Sequence, residues 1–84
     1  VIRLRLLSRP GCHLCDRMRA EVDEILDGEA REWEIVNVDG DAALASRYGA
    51  EIPVLFVNDR LFAKLRLPRL ASRLRLRRAA GLPA

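Results

Sequence analysis

Ile2, Leu4 and Leu6 alternate with Arg3 and Arg5, the two-residue period of a strand that buries one face. Ser8-Arg9-Pro10-Gly11 then breaks the pattern, because proline and glycine together favour a turn. From Cys12 onward the period changes. Leu14, Met18, Val22, Ile25 and Leu26 fall on one stripe of an α-helix whose other faces carry Asp16, Arg17, Arg19, Glu21, Asp23 and Glu24. Gly28 supplies the stop. Residues 33–38, Trp-Glu-Ile-Val-Asn-Val, are rich in β-branched and aromatic types and predict a second strand. A helix of this length provides a crossover, so that strand should run parallel to the first.

Asp39-Gly40-Asp41 turns the chain, and Asp41 is a good N-cap for a short helix with Leu44 and Tyr48 on one side. Gly49 is expected to close that helix in a left-handed conformation. Two apolar runs follow, residues 52–57 and 60–63, and the Asn58-Asp59 pair between them suits a tight antiparallel hairpin. Pro68 is tolerated in the first turn of a helix, and Leu67, Leu70, Ala71 and Leu74 repeat at helical spacing among arginines. A last helix over the sheet is therefore expected, with the folded domain spanning 1–78 and an unpatterned tail over 79–84 that frays. The order β-α-β-α-β-β-α predicts an α/β domain: a mixed four-stranded sheet with helices on both faces.

The length of 84 residues fits this as one domain, since such a chain buries only about 60–65% of its unfolded surface and rarely divides. Half the residues are hydrophobic and 32% charged, which excludes a disordered chain. No apolar run approaches the roughly 18–20 residues of a membrane span, and Arg3 and Arg5 interrupt the first apolar segment too early for a signal peptide. A cytoplasmic protein without membrane contact is the expectation. The formal charge of +3 is unevenly placed. Eight of the fifteen Lys and Arg lie beyond residue 59 with no acid among them, so +3 divides into +8 there and −5 before. The ordinary explanation of such a run is a solvated helix face. No aromatic residue interleaves with the arginines beyond Phe62, so a base-stacking surface is unsupported and nucleic acid is a minor alternative.

Cys12 and Cys15 are too few for a secreted disulfide scaffold, and their spacing points to chemistry instead. Residues three apart in a helical turn share a face, so their sulfurs can form a disulfide with little backbone change. Cys12 would sit at the helix N-terminus, where unpaired amides and the macrodipole favour the nucleophilic thiolate. Cys15, a turn deeper, suits a resolving thiol. Arg9 and His13 add positive potential, His13 only when protonated. The competing readings are half of a zinc site, a cluster shared across a dimer, or two inert core cysteines. Zinc needs four ligands, and the only histidine lies inside the motif, so no metal is expected. Pro53 on its own reads as a turn proline before an edge strand. Beside the dithiol, a cis Ile52-Pro53 bond would remove one amide donor and leave the polar groups of Ile52 free for an extended substrate.

Ser8-Arg9-Pro10-Gly11-Cys12-His13-Leu14-Cys15-Asp16, followed about forty residues later by Ile52-Pro53 and a closing hairpin and helix, resembles the glutaredoxin-like proteins of the thioredoxin superfamily. The similarity extends to about Arg78 and is greatest to small bacterial members with Gly-Cys-X-Leu-Cys. The resemblance implies a thioredoxin-like fold and thiol–disulfide exchange, with Cys12 as nucleophile, Cys15 as resolving cysteine and Pro53 as the family's cis-proline. It also places Arg9 where the family has a cation near the thiolate and the glutathione carboxylate. Two departures are specific. His13-Leu14 replaces the common Pro-Tyr between the cysteines. Ala63-Lys64-Leu65-Arg66 replaces the Gly-Gly-X-Asp that receives the γ-glutamyl end of glutathione, and Arg66 would repel the ammonium that the aspartate would hold. Efficient glutathione use is therefore not expected. A disulfide-bearing protein or small thiol substrate is, with a thioredoxin- or glutathione-type electron donor and no cofactor beyond the dithiol. The competing function is a non-catalytic module that holds an acidic partner on its basic C-terminal helix.

Overall fold

The computed structural model describes residues 1–83, and Ala84, the last residue of the expected tail, lies outside them. β1 (Ile2–Ser8) is an inner strand of a four-stranded sheet. β2 (Arg31–Asn37) pairs with it in parallel, Leu4 opposite Trp33. β3 (Val54–Val57) pairs antiparallel on its other side, ending at Leu7 opposite Val54, and β4 (Arg60–Lys64) closes the order β2-β1-β3-β4. The predicted mixed sheet and the parallel crossover are both present. In the hairpin, Asn58 and Asp59 take φ of 48° and 70°. Positive φ at both central residues is the type I′ geometry whose twist matches the strands.

Alternation along β1 sorts the two faces. Ile2, Leu4 and Leu6 are buried on the side of α1 (His13–Ile25), where Cys15, Met18, Val22 and the following Leu26 complete the core with Leu55, Val57 and Leu76. The opposite face carries Arg3 and Arg5, and Phe56 beside Arg5 meets Tyr48 of α2 (Ala42–Tyr48) edge to face at 6.2 Å. Helices therefore lie on both faces, the second of which stays open at Arg3 and Arg5. Leu14, expected on the core stripe, is instead 53% exposed, because the buried stripe of α1 runs through its neighbour Cys15 to Met18 and Val22.

Three local expectations change. β2 begins two residues earlier than expected and ends at Asn37, and the buried Val38 opens a 3-10 turn through Gly40. Asp41 caps α2 as expected, accepting from the amides of Ala43 and Leu44 at 3.0 and 3.1 Å. Gly49, however, is right-handed at φ −54°, not left-handed. Its requirement is space: a Cβ there would sit 2.5 Å from the carbonyl oxygen of Ala45.

The last helix starts later than its periodicity predicted. α3 spans Ser72–Ala79 after Ala71 at φ 54°, so Pro68 is outside it and Leu70 is 81% exposed. Leu67, Leu76 and Ala80 are the residues buried in this segment. The chain from Leu65, itself at φ 69°, to Ala71 is irregular, and helical spacing of apolar residues there had no helix to act on. Gly81 takes φ 80°, the Leu82 amide donates to the Arg77 carbonyl at 2.8 Å, and Leu82 packs against the core, as in a Schellman closure.

Candidate active site

Arg9-Pro10-Gly11-Cys12 forms the link from β1 to α1. Pro10 presets φ for the second turn position and Gly11 supplies φ 75° at the third, while the Cys12 amide donates to the Arg9 carbonyl at 3.3 Å. Gly11 meets no atom within 4 Å of a built Cβ, so its role is conformational freedom alone. The turn delivers Cys12 as N-cap of α1 in extended conformation, where its sulfur accepts a hydrogen bond from the Cys15 amide at 3.1 Å. A cap acceptor satisfies one of the orphan amides of a helix start, and a thiolate does so better than a neutral sulfur.

Cys12 and Cys15 are joined as a disulfide with Cα atoms 5.3 Å apart. Their surroundings differ. Cys15 is 1% exposed within the core, whereas Cys12 only borders it and keeps part of its surface in solvent. The pair thus has one partly open cysteine and one closed one.

Ile52 and Pro53 leave the sheet at the same end as this turn, since Leu7 opposite Val54 is the last pair of the β1–β3 ladder. The Ile52-Pro53 bond is cis. Pro53 is buried, its carbonyl accepts from the Leu65 amide at 2.7 Å, and neither main-chain polar group of Ile52 finds a partner among the described residues. His13 is exposed at the first position of α1.

Arg9 is drawn elsewhere. Its Nε and one terminal nitrogen donate to the two carboxylate oxygens of Asp39 at 3.3 and 3.1 Å, and the other terminal nitrogen donates to the Gly49 carbonyl at 3.1 Å. The guanidinium therefore ties the end of β1 to the 3-10 turn and to the end of α2. Sequence reasoning placed Asp39 in a turn and did not name it as the partner of Arg9. The signal was present in the parallel pairing, because Ser8 opposite Asn37 brings the next residues of both strands together.

A second cluster also escaped the sequence reading. Asp23 of α1 accepts from Trp33 Nε1 at 2.9 Å and from Arg31 Nε at 2.8 Å, and the Arg19 guanidinium lies 5.4 Å above the Trp33 ring. Burial alone would raise the Asp23 carboxyl. The bonds from Trp33 and Arg31, with the charges of Arg31 and Arg19, outweigh it and hold the group below its usual range. This cluster locks the dithiol-bearing helix to β2.

Lys64 pairs with Glu51 at 2.9 Å and lies over Tyr48, while Arg66 is exposed and has no ion-pair partner among the described residues. No group of three or more His, Cys, Asp or Glu among the described residues could hold a metal ion. No helix among them is long and apolar enough to cross a membrane.

Comparison with known proteins agrees with this geometry. A target protein of a structural-genomics programme from X. campestris, solved by X-ray methods, is 39% identical, with 86% of this chain and 89% of that one covered at a TM-score of 0.57. A mutant thioredoxin from Halobacterium salinarum aligns over 99% of this chain and 78% of its own at 20% identity and a TM-score of 0.57, which speaks for the fold alone. No curated protein matches significantly. The fold is thioredoxin-like. The family model of the glutaredoxin-like domain matches residues 3–75, and the chain belongs to that family.

Proposed function

We propose that this protein is a thiol–disulfide oxidoreductase working through Cys12 and Cys15. The observation that carries the reading is their asymmetry: Cys12 caps α1 with its sulfur on the Cys15 amide, and Cys15 is sealed in the core beside it. In the reduced protein the orphan amides and positive end of α1 favour the Cys12 thiolate. That thiolate attacks one sulfur of a substrate disulfide. A Cys12–substrate bond forms, the substrate's other sulfur leaves as a thiolate, and solvent protonates it. Cys15, having lost its proton, then attacks the Cys12 sulfur. The second substrate thiolate leaves and the Cys12–Cys15 disulfide remains, so two electrons have passed to the substrate. A thioredoxin- or glutathione-type thiol donor restores the dithiol.

Ile52 contributes as a docking edge, since its unpaired main-chain groups can bond an extended substrate at the same end of the sheet. A disulfide within a protein suits this edge better than glutathione, whose γ-glutamyl ammonium would meet the unpaired Arg66. The test is reduction of a protein disulfide by catalytic amounts of the protein with a thiol donor in excess. Wild type accelerates the reaction and Cys12→Ser does not. Equal rates with and without wild type would defeat the proposal and leave the non-catalytic module, with an acidic partner on α3, as the better account.

A further inference from the structure

Beside the dithiol, α1 and the irregular segment after β4 enclose a groove of about 650 Å³. Its walls are of two kinds. Leu14, which stands between the two cysteines, and Leu65 are 53% and 48% exposed, and Leu67 lies deeper at 7%. Around them stand Arg17, Arg66 and Arg69, all exposed, against a single carboxylate, Glu21. None of these three arginines makes an ion pair among the described residues, although six other cations do.

An aliphatic strip bordered by unpaired cations is complementary in shape and charge to a segment that carries aliphatic and acidic side chains. The groove is also joined to the reaction site at two points. Leu14 belongs to the Cys-X-X-Cys motif, and the Leu65 amide is bonded to the Pro53 carbonyl. Leu65 keeps its left-handed φ of 69° in making that bond, an arrangement that leucine adopts only where the surroundings impose it.

Resting on the oxidoreductase reading, we infer that this groove selects the substrate: it takes an extended segment in which the disulfide cysteine is flanked by aliphatic and acidic residues. The aliphatic side chains cover Leu14 and Leu65, and the carboxylates meet Arg17, Arg66 and Arg69. The sulfur then lies next to Leu14 and hence to Cys12. The basic excess beyond residue 59 acquires a part in catalysis through Arg66 and Arg69.

The test uses the prereduced protein and two end-capped pentapeptides, Glu-Leu-Cys-Leu-Glu and its Gln-for-Glu counterpart, each linked through cysteine to mercaptoethanol. Each turnover releases the peptide thiol and mercaptoethanol and leaves the Cys12–Cys15 disulfide. The readout is the ratio of the two rate constants on the same protein, in which changes of thiol reactivity cancel. Two exposed charge pairs predict a ratio of roughly two to thirty at low ionic strength, falling towards one at 1 M salt, where the Debye length is about 3 Å. Arg17→Glu with Arg69→Glu should bring the low-salt ratio to one or below, and the milder Arg17→Gln with Arg69→Gln should give an intermediate value. Unchanged melting temperatures would show that both variants fold. A wild-type ratio near one with both peptides reduced, or a ratio that the variants do not move, would overturn the groove and leave the dithiol reading standing. Reduction of neither peptide would overturn the oxidoreductase reading and this inference with it.

Discussion

Asp23 offers a prediction that joins stability to the placement of the dithiol. Its Oδ1 receives both the Trp33 indole and the Arg31 guanidinium, at 2.9 and 2.8 Å, so one atom fastens α1 to β2. A hydrogen bond to a charged acceptor contributes about 1.5 kcal/mol at the low end of its range. The Asp23 side chain is 37% exposed, so screening limits the ion pair with Arg31 to roughly 0.5 kcal/mol. Asp23→Ala should therefore cost about 2 kcal/mol at neutral pH. Asp23→Asn keeps one acceptor oxygen and should cost about 1 kcal/mol, or roughly 4–8 °C in melting temperature for a domain of this size. The pH dependence separates charge from shape. Because the folded group titrates below its ordinary value of 3.8, its stabilisation is complete above that value and is lost as the pH falls through the lower folded value. Urea midpoints of wild type and Asp23→Asn, measured from pH 6 down to pH 2.5, should converge at the acid end. A gap of constant size across that range would refute the electrostatic argument, and no gap at pH 6 would show that the cluster holds nothing.

Two further predictions use other parts of the molecule. Gly49→Ala forces a Cβ to within 2.5 Å of the Ala45 carbonyl and should cost roughly 1–3 kcal/mol by displacing the end of α2 and the Arg9 bond to it; a denaturation midpoint equal to wild type would contradict this. Turnover of a glutathione mixed disulfide should be slow and should rise about five- to thirtyfold in Arg66→Asp at low salt, since inverting one exposed charge shifts binding by about 1–2 kcal/mol; efficient wild-type turnover would count against it.

The legible features of this sequence share a property: each is fixed within a few neighbouring residues. Arg3 and Arg5 mark the solvent face of β1 by strict alternation, Asn58-Asp59 specifies its own turn, and Arg9-Pro10-Gly11 sets Cys12 at the start of a helix whatever lies beyond. The delayed start of α3 was hidden because Leu65 and Ala71 adopt positive φ without being glycine, which only the surrounding tertiary structure imposes. Gly49 was misread for a related reason. A helix-ending glycine usually supplies conformational freedom, and here it supplies room beside Ala45. Arg9 stands beside the dithiol in sequence, and its bonds to Asp39 and Gly49 become visible only in the folded chain. Arg17, Arg66 and Arg69 are scattered along the chain and converge only when α1 meets the segment after β4.

Division of labour between a partly open and a buried cysteine is the centre of this account, and trapping reads it directly. Cys12→Ser and Cys15→Ser proteins are each exposed, while reduced, to a disulfide-bearing peptide, and intact masses are recorded after quenching. Cys15→Ser should accumulate a stable mixed disulfide on Cys12, because the attacking sulfur is accessible and nothing remains to resolve the bond. Cys12→Ser should stay unmodified over the same period, its one remaining sulfur being 1% exposed in the native fold. Equal trapping by both variants, or trapping by Cys12→Ser alone, would contradict the assignment of Cys12 as nucleophile and Cys15 as resolving thiol.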